Sequence, residues 1–489
     1  MDIKINRKIY RDKVYGCWVG KNIGGTMGTP FEGSPELLDI KGFTSKKGEP
    51  LPNDDLDLQL VWLKAIRDVG AKGLNANILS WYWRRYIPAI WNEYGVGQIN
   101  AAIGITPPMS GELYNEGWKT SNGAWIRSEI WACLAPGYPN IAAKYAIMEA
   151  SIDHGVSEGT AAEIFTAALE SMAFTESNIR TLIETALTYI PEDCLVAKFV
   201  RMVMEEYDKG TDWKLVRDKV IEMNADLGFF HAPGNLAYVI IGLLYGEGDF
   251  LQSLIYAINC GDDSDCTGAT VGAILGIIGG DSTIPSELKE YIGDRIITKS
   301  LDISTFDELP PSCTALTEDV LRTMPLVLSE NGNYTEYTDC EDAPCISSRD
   351  LVCDGYTHSY LAKKPLTTEF SNHWISGTVC FEGEPRISPM GQLSFEVTVQ
   401  NKFYYVYQLT IRAMTPEGWS ATYPKGMALH HRTGAHDINY VWRQRTPDTV
   451  TFRVTLTANE YTAAVNRVYI AVEAMGFPEP LVIPVTVLG

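Results

Sequence analysis

The sequence predicts a mainly α protein in which an all-α domain precedes a β-sandwich domain. From Tyr10 to about Ile297, apolar residues recur at three- and four-residue intervals, as on one face of a helix, without sustained alternation. After about Leu309, apolar and polar residues alternate with a period of two, which is typical of half-buried strands. The predicted domain limits are 1–310 and 340–489.

Individual segments carry these two periods. Helical spacing marks the segments Ala161–Phe174, Ile179–Tyr189 and Leu195–Tyr207. Alternation marks the segments Leu393–Val399, Thr449–Leu456 and Arg467–Val472, and a further apolar run covers Leu481–Val487. Several such strands, divided by Gly, Pro and Asn turns, are typical of a β-sandwich.

The composition is that of a soluble globular protein, with 45% hydrophobic residues. A chain of 489 residues is too long for one ordinary core, so two domains are expected. The formal net charge is −21. Because nucleic-acid phosphates and anionic membrane surfaces are also negative, this charge argues against both as partners.

The ten cysteines do not make a disulfide framework in a chain this large. Cys17, Cys133, Cys194 and Cys260 lie in apolar or small-residue surroundings. The first eight residues, MDIKINRK, are followed by no apolar run, so no secretory signal is expected. These observations predict free thiols and a cytoplasmic location.

Two dense acidic segments are the most informative feature of the sequence. Residues 53–57 read NDDLD and residues 262–265 read DDSD, and each segment stands directly before an apolar helix. Carboxylates this close repel one another unless a cation neutralises them. Either segment alone would suit helix capping, but the adjacent Asp54 and Asp55 cannot both occupy one cap position. Together the segments predict a site for Mg²⁺, Mn²⁺ or Ca²⁺, which prefer oxygen ligands.

A third segment, residues 16–32, reads GCWVGKNIGGTMGTPFE. Its glycines permit a helix to pack closely against a neighbour, and a tight turn then delivers Glu32. Taken alone, the segment would indicate a helix contact with a solvated glutamate. Beside the two acidic segments, Glu32 becomes a candidate for the same site.

In this order, the three segments resemble the motifs of the ADP-ribosylglycohydrolase family. Those motifs are a GxxxGDAxGxPxE opening, a TDDT sequence, and a GGDTDT sequence followed by an AAxxGAxxG helix. Residues 121–127, SNGAWIR, are similar to the family's GNGAxxR loop, and residues 151–155, SIDHG, to its SxTH segment. The resemblance covers about residues 10–297 and implies a helical catalytic domain.

The resemblance implies a dinuclear Mg²⁺ or Mn²⁺ centre. Its implied ligands are Asn53, Asp54, Asp55, Asp263, Asp265 and Cys266. This chain departs from the family at several positions: Thr26 and Met27 stand where Asp and Ala are usual, and Asp153 stands where Thr is usual. Asn53 replaces a Thr but offers an amide oxygen, and Leu56 replaces a Thr and cannot coordinate. Cys266 replaces the last Thr with a thiol, which is a poor ligand for a hard cation.

The resemblance also implies roles in catalysis and substrate binding. The implied catalytic residues are Glu32, Asp55 and Asp263, and the implied substrate-binding residues are Asn122, Gly123, Arg127 and His154. Glu32 is the candidate general base, and Arg127 is suited to a phosphate. Taken alone, His154 would more often be a structural histidine and Arg127 an ion-paired one.

The predicted function is metal-dependent hydrolysis of a glycosidic bond at ribose, on a small molecule or an ADP-ribosylated substrate. One alternative is hydrolysis of another small N- or O-glycoside, such as a nucleoside-like compound. The altered motif positions and the additional β domain motivate that alternative. The other is a non-catalytic binding or structural protein on the same scaffold.

Overall fold

The structure is a computed structural model that describes residues 3–224, 228–403, 407–429 and 448–489. Contacts between residues divide the chain into two compact units. The helical unit consists of residues 1–98 and 114–362, and the β unit consists of residues 99–113 and 363–489.

Sixteen α-helices lie in the described part of the chain. They are α1 (Arg7–Gly28), α2 (Asp54–Val69), α3 (Ala76–Tyr86), α4 (Asn92–Ala102), α5 (Glu129–Leu134), α6 (Pro139–Ala150), α7 (Glu158–Ala173), α8 (Ile179–Ala186), α9 (Leu195–Asp208), α10 (Trp213–Met223), α11 (Ala232–Tyr245), α12 (Phe250–Asn259), α13 (Ser264–Gly279), α14 (Ser286–Ile292), α15 (Cys313–Glu330) and α16 (Tyr356–Leu361). The three helical segments named from the sequence correspond to α7, α8 and α9. Helix α8 ends three residues early because Leu187–Tyr189 forms a 3₁₀ turn.

Helices α1 and α13 form the central pair of the helical unit, packed antiparallel with their backbones in contact. A Cβ atom added at Gly20 would lie 2.1 Å from the carbonyl oxygen of Gly272, and one added at Gly24 would lie 2.0 Å from that of Gly268. Glycine is therefore required along this seam. The pairing sets the end of α1 beside the beginning of α13, which are the regions that carry Glu32 and Asp265.

Eleven β-strands lie in the described part of the chain. They are β1 (Ile3–Asn6), β2 (Thr335–Thr338), β3 (Thr367–Ser371), β4 (Ile375–Phe381), β5 (Gln392–Asn401), β6 (Tyr407–Met414), β7 (Ser420–Thr422), β8 (Gly426–Leu429), β9 (Thr449–Thr457), β10 (Val465–Ala474) and β11 (Leu481–Leu488). Strands β1 and β2 pair in parallel within the helical unit. The β unit contains a five-stranded sheet, ordered β3-β4-β5-β9-β7, and a four-stranded sheet, ordered β11-β10-β6-β8.

Each unit has its own apolar core. The core of the helical unit is rich in large aromatics, including the fully buried Trp18, Trp62 and Trp131. In the β unit, alternate residues of β5 and β9 are buried and join one cluster with residues of β10 and β11. Within the residues that the structure describes, no helix combines the length and apolar character needed to cross a membrane.

The limits predicted from the sequence differ from the units formed by contact. Helix α15 follows Pro310 and Pro311, yet it packs against α1 and belongs to the helical unit. Residues 340–362 also belong to the helical unit, whereas residues 99–113 belong to the β unit. The two prolines interrupt the helical pattern without ending the unit.

Candidate active site

Glu32 is held beside the second acidic segment by backbone hydrogen bonds. The N–H of Gly33 donates to the carbonyl of Asp262 at 2.9 Å, and the N–H of Asp262 donates to the carbonyl of Ser34 at 2.7 Å. The positive φ of Gly33, 80°, favours glycine at this bend. This short ladder fixes the turn after α1 against the loop before α13.

The first acidic segment is set by the start of α2. Asn53 caps the helix, since its side-chain oxygen accepts a hydrogen bond of 2.8 Å from the N–H of Asp55. A Cβ at Gly25 would lie 2.2 Å from Nδ2 of Asn53, so the glycine makes room for this side chain. The cap turns Asp55 into the interior and leaves Asp54 half-buried, where it accepts a hydrogen bond of 3.2 Å from Tyr94.

The two acidic segments meet although they lie 211 positions apart, and Sγ of Cys266 stands 3.4 Å from Oδ1 of Asp55. Ligand atoms of Asp55, Asp265 and Cys266 lie within 4.8 Å of one another, and so do those of Glu32, Asp263 and Asp265. Asp265 belongs to both groups. Two neighbouring groups with one common carboxylate have the arrangement expected of a dinuclear centre.

These groups open into a pocket of about 300 Å³ within the helical unit. Its walls include Glu32, Asp54, Asp263, Asp265 and Cys266 from the predicted set. Trp91, Tyr94 and Phe230 supply aromatic surface. The pocket therefore combines a carboxylate floor with walls in which aromatic side chains stand among polar ones.

Burial and mutual repulsion raise the pKa values of the clustered acids. Although part of Glu32 is open to solvent, desolvation in the pocket and then the charges of Asp265 and Asp54 raise the pKa of Glu32 to about 7. Desolvation, followed by the charge of Asp265, raises the pKa of Asp263 well above its usual value. A divalent cation would reverse this effect by favouring the charged form of each group.

A buried lysine supports Asp55 from behind. Nζ of Lys21 on α1 lies 3.8 Å from Oδ2 of Asp55 and 2.7 Å from Oε1 of Glu129, and it donates to the carbonyl of Ile126 at 2.8 Å. Gln59 donates to the other oxygen of Glu129 at 2.8 Å. These contacts fix the direction of the Asp55 side chain without closing it off from Cys266.

Two of the predicted substrate-binding residues line the pocket. Nδ2 of Asn122 donates to Oδ2 of Asp263 at 2.7 Å, while its Oδ1 accepts a hydrogen bond of 3.0 Å from Trp125. Gly123 lies beside Glu93, and a Cβ there would approach Oε1 of Glu93 to 2.1 Å. Asn122 therefore orients the carboxylate of Asp263, and Gly123 leaves room for the side chain of Glu93.

Arg127 and His154 lie behind the pocket rather than in its walls. The Arg127 guanidinium is completely buried, pairs with Glu149, and lies 2.7 Å from Oδ1 of Asp153. It also lies 4.7 Å from the ring centroid of Trp83. Arg127 is thus paired with two protein carboxylates behind the pocket, and the ligand contact predicted for it stays a prediction.

His154 is likewise buried, with Nδ1 2.9 Å from Oδ1 of Asp153 and Nε2 3.3 Å from Oγ of Ser121. Burial raises the pKa of Asp153, but the charges of Arg127 and His154 outweigh it, and the pKa is lowered. Asp153 stands where the family motif has a threonine, so this chain replaces a hydroxyl with a carboxylate that contacts both Arg127 and His154. The ligand contact predicted for His154 also stays a prediction.

The sequence analysis did not name seven of the pocket residues: Trp91, Asn92, Glu93, Tyr94, Ile126, Phe230 and Lys299. Glu93 and Tyr94 lie in the first turn of α4, and no acidic or glycine motif marks them in the sequence. Lys299 reaches the pocket because Asp57 accepts hydrogen bonds from the N–H groups of Lys299 and Ser300, at 2.6 and 2.9 Å. Asp57 is therefore an anchor for this loop, and no local sequence pattern linked it to residue 299.

The region of the chain that forms this site is similar in sequence to a known family. The sequence matches the family described as ADP-ribosylglycohydrolase over residues 6–319, which is more than half of the chain. The chain belongs to the ADP-ribosylglycohydrolase family. This confirms the resemblance drawn from the ordered motifs. The matched region extends from the cap of α1 into α15 and contains every residue of the acidic cluster.

Two solved structures are similar to parts of this chain. An ADP-ribosylglycohydrolase-related protein complex is 20% identical, covers 65% of this chain and 99% of its own, and gives a TM-score of 0.45. A FixG-related protein from Vibrio parahaemolyticus, known from a crystal structure, is 8% identical. It covers 23% of this chain and 94% of its own, with a TM-score of 0.19. A search of curated proteins found no match.

Proposed function

We propose that this chain is a metal-dependent hydrolase that cleaves a glycosidic bond at the anomeric carbon of ribose, in ADP-ribose conjugates. One observation carries the proposal: Asp265 belongs to two ligand groups at the floor of one pocket. Family membership supports the reaction class.

The residues of this floor fit a divalent cation. Glu32, Asp263 and Asp265 offer only oxygen ligands, which suits Mg²⁺ or Mn²⁺. Oδ1 of Asp265 is buried and accepts no hydrogen bond from the described residues, so it is free to coordinate. A cation bound here would supply charge that orients ribose hydroxyls and acidifies a water molecule.

The protein side chains have two tasks in this reaction: they move a proton, and they orient the groups of the site. Glu32 stands at the open side of the cluster, where its carboxylate can act as the general base that takes the proton of the attacking water. Asn122 fixes the orientation of Asp263. The proton leaves for solvent, or for the departing group, from the same carboxyl.

Lys299 favours a substrate that carries phosphate. It is an exposed cation at the wall of a pocket whose other ionisable lining groups are acidic, and it offsets the charge on Glu32. The side chains of Trp91 and Phe230 add surfaces on which a flat base can stack. These features support an ADP-ribose group over a simple riboside.

Release of ADP-ribose from a mono-ADP-ribosylated protein tests the proposal. We expect release with Mg²⁺ or Mn²⁺, loss with EDTA, and recovery when the cation is restored. The double variant Asp54→Asn, Asp263→Asn should lose about 100-fold or more in rate, since changes one layer beyond metal ligands already cost about 10–100-fold. The control variant Asp39→Asn alters an exposed carboxylate and should leave the rate unchanged.

Release that survives both EDTA and the double variant would refute the proposed reaction. A parallel assay with simple ribosides tests the substrate class. Lys299→Met should weaken binding of ADP-ribose and leave riboside binding unchanged. Hydrolysis of ribosides alone, with no response to ADP-ribose conjugates, would favour a nucleoside-like substrate instead.

We also infer that the two sheets of the β unit are the layers of a sandwich that folds as a separate domain. Support comes from the single apolar cluster to which residues of both sheets contribute, among them Val397 of β5, Val454 of β9 and Ile470 of β10. The alternating burial along these strands is that of sheets with one covered face.

A further inference from the structure

The two ligand groups at the pocket floor differ in chemistry. Glu32, Asp263 and Asp265 present oxygen alone, whereas Asp55, Asp265 and Cys266 include a sulfur. A thiolate is a soft ligand that binds Mg²⁺ poorly and favours Zn²⁺ and similar cations. The position where the family motif has a hydroxyl therefore changes which metal the second group selects.

The distances within the second group suit a tetrahedral cation. Metal–sulfur and metal–oxygen bonds of about 2.3 and 2.1 Å at the tetrahedral angle separate the sulfur and oxygen by about 3.6 Å. Sγ of Cys266 lies 3.4 Å from Oδ1 of Asp55. Cys266 and Asp55 therefore need almost no movement to bind the same ion.

A second observation points to a bound cation. Oδ1 of Asp265, which belongs to both ligand groups, is buried and accepts no hydrogen bond from the described residues. The Asp55 side chain is completely buried, and that of Asp265 is nearly so. Buried carboxylate oxygens without partners are costly, and metal coordination is one way to satisfy them.

We propose that this chain binds two unlike cations: a thiophilic one, of the Zn²⁺ class, at Asp55, Asp265 and Cys266, and a hard one, Mg²⁺ or Mn²⁺, at Glu32, Asp263 and Asp265. The proposal rests on the metal-dependent function proposed above and specifies its cofactors. Asp265 is shared by both ions. Three protein ligands with Asp265 and Cys266 facing the pocket leave a fourth position open, as in catalytic zinc sites.

Binding of the thiophilic ion exchanges one proton for one metal–sulfur bond. The S–H group of Cys266 points at Oδ1 of Asp55. When the metal–sulfur bond forms, that proton leaves to solvent, and Asp55 exchanges the S–H contact for coordination. Lys21 keeps Oδ2 of Asp55 in place on the opposite side. No oxidant or reductant takes part.

Titration of the metal-free chain with Cd²⁺ and Co²⁺ tests the inference, because both ions give a thiolate-to-metal absorption band. Cys340 is exposed, so the titration uses a Cys340→Ser background. We expect one equivalent to produce the band, which Cys266→Ser abolishes. The matched control Cys313→Ser removes another fully buried thiol and should retain the band.

Competition with a chelating dye should show that Cys266→Ser weakens Zn²⁺ binding by about tenfold or more, while its affinity for Mn²⁺ stays equal or rises. A second variant, Cys266→Ala, removes the ligand without adding a hydroxyl and should behave alike for Zn²⁺. Melting curves of both variants establish that they fold. An absent band, or a band that persists in folded Cys266→Ser, would overturn the inference.

The spectroscopic and hydrolytic results separate the two proposals. A band lost with Cys266→Ser supports the unlike-cation centre even if the chain releases no ADP-ribose, which would refute the proposed reaction alone. Conversely, Mn²⁺-dependent release without any thiolate band would leave the reaction standing and refute the thiophilic site.

Discussion

At the scale of single residues, Arg127 occupies a motif position but lies behind the pocket, paired with protein carboxylates. Its guanidinium is enclosed by Glu149 and Asp153 and lies over the rings of Trp83 and Tyr94. Such a buried pair costs desolvation, and its removal leaves uncompensated charges. The side chain therefore supports the wall of the pocket from behind.

Arg127→Met should lower the free energy of unfolding by about 3–5 kcal/mol, because Glu149 and Asp153 would be left buried without their cation. Urea unfolding measures this change. The control Arg412→Met breaks an exposed pair with Glu473 and should cost about 0–1 kcal/mol. A variant of normal stability with a large, selective loss of substrate affinity would instead favour direct ligand contact.

Residue identity alone predicted the acidic cluster but not its surroundings. Asp54, Asp55, Asp263 and Asp265 were recognisable because dense carboxylates before a helix exceed what capping needs. Lys299 was not recognisable, because it is brought to the pocket by a long-range hydrogen bond from its backbone N–H to Asp57. Contacts of this kind depend on tertiary structure and leave no periodic trace in the sequence.

At the scale of secondary-structure elements, the α1–α13 pair determines whether the site exists. Glycines at four-residue spacing allow two backbones to meet, and this places Glu32 beside Asp265. The close packing was predictable from residues 16–28, because so many glycines in a helix otherwise only destabilise it. That α13 is the partner helix was not predictable, because small residues recur elsewhere in the chain.

Gly24→Ala should weaken folding by about 1–3 kcal/mol or more, because the added Cβ would lie 2.0 Å from the carbonyl oxygen of Gly268 and the helices must part. Thermal unfolding and Mn²⁺ affinity should both decline, since the separation also moves Glu32 from Asp265. Gly42→Ala serves as the control because no atom lies within 4 Å of its added Cβ. Equal behaviour of the two variants would contradict the packing argument.

At the scale of the whole molecule, an acidic chain concentrates buried carboxylates in one unit. The net charge is −21, and Glu32, Asp263 and Asp265 face one pocket. The change from helical to alternating periodicity predicted the order of helical and β-rich parts. It did not predict that α15 joins the helical unit after two prolines, because prolines stop a helix but do not reveal what packs beyond them.

This charge distribution makes stability depend on pH and on metal together. Burial raises the pKa of Glu149 from its usual 4.5 to about 7, and that of Glu32 is raised equally. The folded state therefore holds these protons more tightly than the unfolded state. Stability from this source is present below about pH 4.5 and is lost as pH rises through about 7. A cation at Glu32 competes with its proton, so metal should offset part of the loss at high pH only.

The most direct test is the melting temperature of EDTA-treated protein, measured with and without Mn²⁺ at about pH 5 and about pH 8. The carboxylate site predicts a clear rise with Mn²⁺ at the higher pH and a much smaller one at the lower pH. Asp263→Asn should remove most of the rise, whereas Asp39→Asn should retain it. No rise at the higher pH, or a rise that Asp263→Asn leaves intact, would contradict a metal centre in this pocket.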